Sequence, residues 1–294
     1  MKLHFLGTGT SSGIPQMGCS CYVCHSTDPR DKRTRSSALL ETDDHRLILI
    51  DCGPDFRAQM LRFLDEHPYT PQTTLPFHVR NVAEMTDEQA RTAGLHEAPR
   101  HDYALPAIDA ALITHEHFDH VAGLDDLRPF SVFQPITICA EPNVAAPILR
   151  NMFYCFSEKR YPGSPHLIMQ EIGPDVPFWV GETEITPIRV VHGRLPIVGF
   201  RIKGLAYITD MTELPAEEWA KLQNVDTLIV NALRHEPHPT HQSVAEAVSF
   251  AEKVGARQTY FIHMSHGAGL HAESEVFLPK NMHFAYDGLT ISID

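Results

Sequence analysis

The sequence predicts an α/β fold of two similar sheet-and-helix halves packed sheet to sheet. Short apolar runs of strand length cluster first and then alternate with helical stretches, once in each half of the 294 residues. Apolar residues make up 43% of the chain, enough for a sizeable core. Several of the apolar runs end in a histidine or an aspartate, which places metal-seeking side chains at the ends of buried strands.

Strands are predicted at 2–6, 37–41 and 46–50, then at 110–114 and 136–140. Later ones fall at 184–191, 197–202, 206–209, 227–231, 259–262 and 289–293. The polar stretch Glu41-Thr42-Asp43-Asp44-His45-Arg46 has the composition of a hairpin turn. Helices are predicted at 54–64, 142–156, 215–222 and 242–254. Pro54, Pro142 and Pro215 open the first three, where a missing N–H costs least. In the fourth, Val244, Ala247, Val248, Ala251 and Val254 recur at helical spacing, and Gly255 is a stop signal. The whole reads as a single domain.

Residues 65–106 stand apart. The stretch is rich in Pro, Thr, Glu, Gln and His, is punctuated by Pro68, Pro71, Pro76 and Pro99, and lacks a long apolar period. A structureless segment of this length is rare inside a compact domain. It reads as an insertion: a lid, a small subdomain, a homodimer contact, or a surface excursion without a catalytic role.

The charge balance is 24 basic against 37 acidic residues, net −13 with histidine neutral, which argues against broad binding to nucleic acid or an anionic membrane. The 19 histidines make that charge responsive to bound metal and to pH near 6.5. No run approaches the roughly 18–20 apolar residues of a membrane span, and the opening Met1-Lys2-Leu3-His4-Phe5-Leu6-Gly7 is too mixed for a signal peptide. A cytoplasmic location is expected. Cysteines 19, 21 and 24 crowd together while Cys52, Cys139 and Cys155 are scattered, which is a metal-site pattern and not a secreted disulfide framework.

The densest chemistry lies in Thr114-His115-Glu116-His117-Phe118-Asp119-His120, directly after the apolar run Ala110-Ala111-Leu112-Ile113. His115 and His117 share a face on an extended chain, and a strand-to-helix turn would bring Asp119 and His120 to the same place. Two ligand pairs on such a turn suit two ions roughly 3.5–4 Å apart. Imidazole and carboxylate ligands fit zinc, manganese or iron. His192, Asp210 and His263 each end a later apolar strand and are the candidates to complete the set. Asp51, after Leu47-Ile48-Leu49-Ile50, is the candidate to orient a ligand histidine by hydrogen bond.

With the His-x-His-x-Asp-His motif, the early Asp51-Cys52-Gly53 and the later strand-end ligands, the chain resembles the metallo-β-lactamase superfamily from residue 1 to 294, apart from 65–106. The resemblance implies a four-layer αββα sandwich with a dinuclear metal site at one edge. It implies one ion held by His115, His117 and His192, a second held by Asp119, His120 and His263, and Asp210 bridging the two.

The N-terminus narrows the branch. Phe5-Leu6-Gly7-Thr8-Gly9-Thr10-Ser11-Ser12-Gly13 lacks the Gly-Lys-Ser/Thr ending of a nucleotide loop. The cluster Cys19-Ser20-Cys21-Tyr22-Val23-Cys24 supplies three thiolates, and a closed tetrahedral zinc site needs a fourth ligand, for which His266 is chosen. This combination resembles the phosphodiesterase branch that hydrolyses phosphoribosyl cyclic phosphate, which carries the same Gly-Thr-Gly opening, the cysteine site and a final His-x-x-His, here His263-Met264-Ser265-His266. That branch has a histidine before the late helix that acts at the phosphate or as general acid. The matching position is His241, with His235 and His238 as neighbouring alternatives.

The expected function is therefore hydrolysis of a small or cyclic phosphodiester by a hydroxide that two divalent ions, zinc or manganese, activate beside a separate structural zinc. Asp119 would serve the reaction through the metal centre. His241 would protonate the leaving oxygen or stabilise the transition state, and Arg128 would bind a substrate anion or form a structural ion pair. The alternatives are a relative of the PQQ-biosynthesis protein, a tRNA 3′-processing endonuclease, a non-catalytic metal-binding protein, and a di-iron redox protein. The complete motif favours hydrolysis over the first. The insertion sets Arg80, Arg91 and Arg100 against Asp65, Glu66, Glu84, Asp87, Glu88, Glu97 and Asp102, an acidic balance that repels an RNA backbone.

Overall fold

A computed structural model of the protein describes residues 1–68, 75–83, 85–96, 98, 100–161 and 163–293. The first half runs β1 (Lys2–Gly7), β2 (Ser37–Glu41), β3 (Leu47–Ile50), α1 (Phe56–Glu66), β4 (Phe77–Ala83), α2 (Asp87–Thr92), β5 (Arg100–Pro106), β6 (Ala110–Leu112), α3 (Phe118–Val121), β7 (Ile136–Ala140), α4 (Pro142–Asn151), α5 (Phe153–Phe156) and β8 (Leu167–Glu171). The second half runs β9 (Phe178–Val180), β10 (Thr183–His192), β11 (Leu195–Ile202), β12 (Leu205–Tyr207), β13 (Thr227–Asn231), α6 (Val244–Val254), β14 (Gln258–Ile262), α7 (His271–Phe277), β15 (Met282–Phe284) and β16 (Thr290–Ser292).

Two seven-stranded sheets form, ordered β16-β1-β2-β3-β6-β7-β8 and β15-β14-β13-β12-β11-β10-β9. In each, an antiparallel part gives way to a run of four parallel strands, β3-β6-β7-β8 and β12-β13-β14-β15. Three apolar layers result from the two-residue period of the strands. Leu47 and Leu49 of β3 face outward onto Phe56, Met60 and Phe63 of α1 and Val144 and Ile148 of α4. Ile48 and Ile50 of the same strand face inward, against Phe200, Ile202, Tyr207 and Ile229 of the second sheet. Val190, Ile208, Leu228 and Phe261 pack on the far side against Val244, Ala247, Phe250 and Ala251 of α6. The layer order is therefore αββα, as the resemblance implied.

Local chemistry sets the helix ends. Ser243 and Glu246 form a capping box at the start of α6, and Gly255 closes that helix in a left-handed conformation at φ 71°. The stretch predicted as one helix over 142–156 is two, because the chain breaks helical geometry at Met152. The predicted helix at 215–222 is a 3₁₀ segment, Ala216–Leu222, and Pro54 lies ahead of α1, outside its first turn. Sheet-edge strands β8, β9 and β15 escape the sequence reading: β9 and β15 span three residues each, and β8, Leu167–Glu171, is mostly not buried and ends in Gln170 and Glu171.

The expected insertion begins later than predicted, since Asp65 and Glu66 finish α1. Beyond them the segment contains a two-stranded antiparallel ribbon, β4 with β5, and α2 between them, capped by a Thr86/Gln89 box. His78 stacks on Phe133 at 4.7 Å, which ties the ribbon to the body. Pro71, Glu84, Glu97 and Pro99 lie outside the described residues. Among the described residues, no helix is long and apolar enough to cross a membrane.

His4 on β1 is 4% exposed, bonds Thr290 Oγ1 through Nδ1 at 2.9 Å and packs edge-on against Phe63 and His67. Burial, helped by His67, lowers its pKa to about 4. The neutral ring is thus the folded form, while the unfolded chain takes up a proton near the usual 6.5. The stability it contributes is complete above pH 6.5 and is lost as pH falls toward 4, by up to about 3 kcal/mol. Urea unfolding at pH 7 and pH 4.5 should show a smaller acid penalty for His4→Asn than for the wild type.

Candidate metal centre

Three of the strand ends that the sequence singles out share one backbone device. Asp51 after β3, Asp210 beyond β12 and His263 after β14 all adopt left-handed conformations, at φ 58°, 56° and 57°. A non-glycine residue held there costs on the order of 1–3 kcal/mol, and such residues cluster at functional sites. Each turn swings its side chain off the strand line toward a common point at one edge of the sandwich.

The motif after β6 is braced by the turn Asp51-Cys52-Gly53. Cys52 N–H donates to the His120 carbonyl at 2.7 Å, and Gly123 N–H donates to the Cys52 carbonyl at 2.8 Å. A Cβ at Gly53 would overlap the Asp119 carbonyl oxygen, and one at Gly123 would overlap the Gly53 carbonyl, so both glycines are required by close backbone approach. The fully buried Asp51 carboxylate takes His120 Nδ1 at 2.7 Å and accepts from Thr114 N–H and Oγ1 at 2.9–3.1 Å. Thr114 Oγ1 also lies 2.9 Å from His115 Nδ1. One carboxylate therefore orients two imidazoles, one directly and one through a hydroxyl.

The Nε2 atoms of this motif and of His263 converge. Those of His263, His120 and His115 lie 3.2, 3.5 and 3.9 Å from the Asp210 carboxylate. Asp119 Oδ2 lies 3.3 Å from His120 Nε2 and 3.5 Å from His263 Nε2. His115, His117 and His192 form a second set, with ring centroids 4.5–5.6 Å apart. Within each of four triples the ligand atoms lie within 4.8 Å of one another: His115, His117 and His192; His115, His120 and Asp210; Asp119, His120 and His263; and His192, Asp210 and His241. His115 Nε2, His120 Nε2, both ring nitrogens of His263 and His241 Nδ1 are buried without a hydrogen-bond partner. Buried polar atoms left this way are costly, and their convergence on two carboxylates suits divalent cations.

The electrostatics result from burial and crowding. Burial lowers the His115 pKa well below 6.5, and neighbouring His120 adds to this. Burial would also lower His120, but the carboxylates of Asp210 and Asp51 outweigh it and raise the group. Burial opposes ionisation of Asp210, yet His263 and His120 hold it well below the usual carboxylate range. His241 is lowered to about 3, by burial first and then by His263.

A separate cluster lies a few residues from His263. His266 Nδ1 is 3.1, 3.3 and 3.5 Å from the sulfurs of Cys19, Cys21 and Cys24. Backbone N–H groups of Cys21, Cys24 and Gln16 point at the sulfurs of Cys19, Cys21 and Cys24 at 3.4–3.5 Å. The Cys24 N–H is the main reason the Cys21 thiol is lowered to about 6, while burial pushes Cys24 up to about 11. Three sulfurs and one imidazole nitrogen match a closed tetrahedral zinc set. Thr10 N–H donates to the Met264 carbonyl at 3.0 Å and Met264 N–H to the Thr8 carbonyl at 3.1 Å, so the glycine-rich opening is fastened to the turn that carries both His263 and His266.

Of the three late histidines, His241 faces the centre, its ring 4.6 Å from His192 and 4.9 Å from His263. His238 Nδ1 is engaged by the Thr240 hydroxyl at 3.2 Å, and His235 packs on Phe277 at 5.4 Å. Arg128 is committed elsewhere: its guanidinium pairs with Asp125 at 2.7 Å and donates to the Gly163 carbonyl at 2.6 Å. Of the two roles open to it, the arrangement is that of the local ion pair. Thr114, Thr209 and Thr240 escaped the sequence reading. Thr209 Oγ1 donates to Asp210 at 2.5 Å, and the Thr240 carbonyl takes His192 Nδ1 at 2.7 Å. Their position beside each ligand in sequence, or beside His241, was the signal available.

A family model described as the beta-lactamase superfamily domain matches residues 86–264. A solved structure described as a diphosphatase of the PhnP family is 32% identical, covers 99% of this chain and 96% of its own, and superposes with a TM-score of 0.78. The chain belongs to the metallo-β-lactamase superfamily, on its PhnP-like branch. The zinc-bound PqqB of Methylobacterium extorquens shares this superfamily fold, with a TM-score of 0.72 at 21% identity over all of both chains. An octanoyltransferase of Porphyromonas gingivalis is 40% identical over 295 aligned positions, all of this chain but 52% of that protein. The chain thus spans about half the length of that curated relative.

For this superfamily member, metal analysis after purification without chelators should find about three ions per chain, the two in the dinuclear site held as a pair. Cys21→Ser should lose one ion and keep the other two. Asp51→Ala should weaken the two-ion centre about 10- to 100-fold in a chelator titration while leaving the cysteine site filled.

Proposed function

We propose that this chain is a metal-dependent hydrolase that cleaves a small or cyclic phosphodiester. The observation that carries the reading is the convergence of unpartnered imidazole nitrogens on the Asp210 and Asp119 carboxylates, with the buried His241 beside them. His115, His117 and His192 would hold one ion, Asp119, His120 and His263 the other, and Asp210 would lie between. Bound there, the ions would supply Lewis acidity toward a phosphoryl oxygen and a nucleophile from water at neutral pH. Cys19, Cys21, Cys24 and His266 would hold a third, structural ion, for which zinc is the fitting metal.

The chain's own residues then have separable tasks. Asp51 and Thr114 keep His115 and His120 in the tautomer that presents Nε2 inward. The Thr240 carbonyl does the same for His192. His241 is neutral at pH 7 in the free protein and carries an N–H that can bond a phosphoryl oxygen. With cations proposed beside it, the ring stays neutral and bonds a phosphoryl oxygen that gains charge in the transition state. The acidic surface favours a small substrate over a polyanionic strand.

A second reading, cleavage of a phosphoric anhydride, is supported by the description of the 32%-identical structure as a diphosphatase. Acyl transfer, the activity named for the Porphyromonas gingivalis protein, gains less support. This chain aligns with 52% of that protein, which leaves about half of its length outside the comparison.

Protein loaded with Mn²⁺ or Zn²⁺ should cleave bis(p-nitrophenyl) phosphate. His117→Ala or Asp119→Ala should cut kcat/KM at least about 100-fold, and His241→Ala should lower kcat about 10²- to 10⁴-fold with both ions retained. Undiminished turnover in Asp119→Ala would contradict the reading. A panel of cyclic phosphodiesters and diphosphate-bridged compounds, assayed with the same metals, separates the first reading from the second.

A further inference from the structure

Three adjacent strands of the second sheet end at the candidate centre, yet only two of them deliver a ligand. β12 leads to Asp210 and β14 to His263. β13 lies between them, pairs in parallel with both, and ends at Asn231 opposite Ile262. Asn231 is fully buried, and its side chain makes no bond to any of the proposed ligands. It spends both halves of its amide on one neighbouring residue: Oδ1 accepts from Met211 N–H at 2.7 Å, and Nδ2 donates to the Met211 carbonyl at 3.0 Å.

Met211 follows Asp210, which stands in the left-handed region at φ 56°. Both backbone polar groups of Met211 face a fully buried amide and so have little access to water. Without the amide the Met211 N–H would be left unsatisfied and its carbonyl would keep only the Gln242 N–H at 3.2 Å, or the turn would relax and carry Asp210 away from the atoms it approaches on His115, His120 and His263. We infer that Asn231 is a positioning residue: its two-bond clamp on Met211 fixes the strained turn that presents the Asp210 carboxylate between the two cation positions. The inference rests on the proposed two-ion centre and is independent of which bond the enzyme cleaves.

The chemistry of the clamp is specific. Leucine keeps the branching at Cγ, is bulkier, and offers neither bond. Aspartate keeps the acceptor for Met211 N–H but sets a second acceptor against the Met211 carbonyl. The test is metal occupancy in the absence of substrate, by elemental analysis after equilibration against graded chelator buffers, for wild type, Asn231→Leu and Asn231→Asp. Both variants should keep the cysteine-site ion and lose affinity at the two-ion centre about 10- to 100-fold, Asn231→Leu more than Asn231→Asp. A two-ion affinity equal to wild type in a folded variant overturns the inference. So does loss of the cysteine-site ion together with the fold in both variants, which would make Asn231 a general support of the core. If the wild type binds two ions but cleaves no phosphate substrate, the functional reading fails and the role of Asn231 stands.

Discussion

Asp51 leaves β3 in a left-handed turn with its carboxylate wholly removed from water, and the rest of the centre is arranged around that charge. A buried carboxylate is tolerable only when its oxygens are bonded. Here the partners are Thr114 and His120, which belong to the ligand motif. The bonds that satisfy Asp51 therefore also set the rotation of the imidazoles. The same turn passes Cys52 and Gly53 against the backbone of His120 and Asp119 so closely that no side chain fits between them. The early Asp-Cys-Gly and the later histidine motif are two halves of one packed unit, though more than sixty residues separate them in sequence.

A comparable economy joins the two metal-binding clusters. His263 and His266 lie on one short turn, and that turn is tied to the glycine-rich opening by a pair of backbone hydrogen bonds at Met264. The cysteine cluster thereby anchors the segment from which His263 projects. An ion held by the cysteine cluster would act on the geometry of the first site through the short backbone from His263 to His266.

Much of this arrangement was legible in the sequence because the physical signals were local. Short, continuous apolar runs gave the central strands, and ligand-type residues at their ends gave His192, Asp210 and His263. The regions that were misjudged lacked such signals. The edge strands β9 and β15 span three residues each, β8 is mostly not buried and ends in polar residues, and the ribbon of β4 and β5 carries no long apolar run of its own. Arg128 looked available because its partners, Asp125 and the Gly163 carbonyl, are defined only once the chain has folded. Thr114, Thr240 and Asn231 were invisible for a related reason: a threonine or an asparagine beside an apolar run is common, and only the three-dimensional bonds give it a role.

Strained strand ends braced by buried polar side chains would hold two cations beside a separate cysteine-bound ion. Anomalous diffraction from crystals of zinc-loaded protein, collected on both sides of the zinc absorption edge, tests it most directly. Two peaks about 3.5–4 Å apart are expected among His115, His117, Asp119, His120, His192, Asp210 and His263, and a third within the Cys19, Cys21, Cys24 and His266 cluster. A single peak in the histidine–aspartate cluster with Asp210 turned away from it, or no peak there at all, would contradict it.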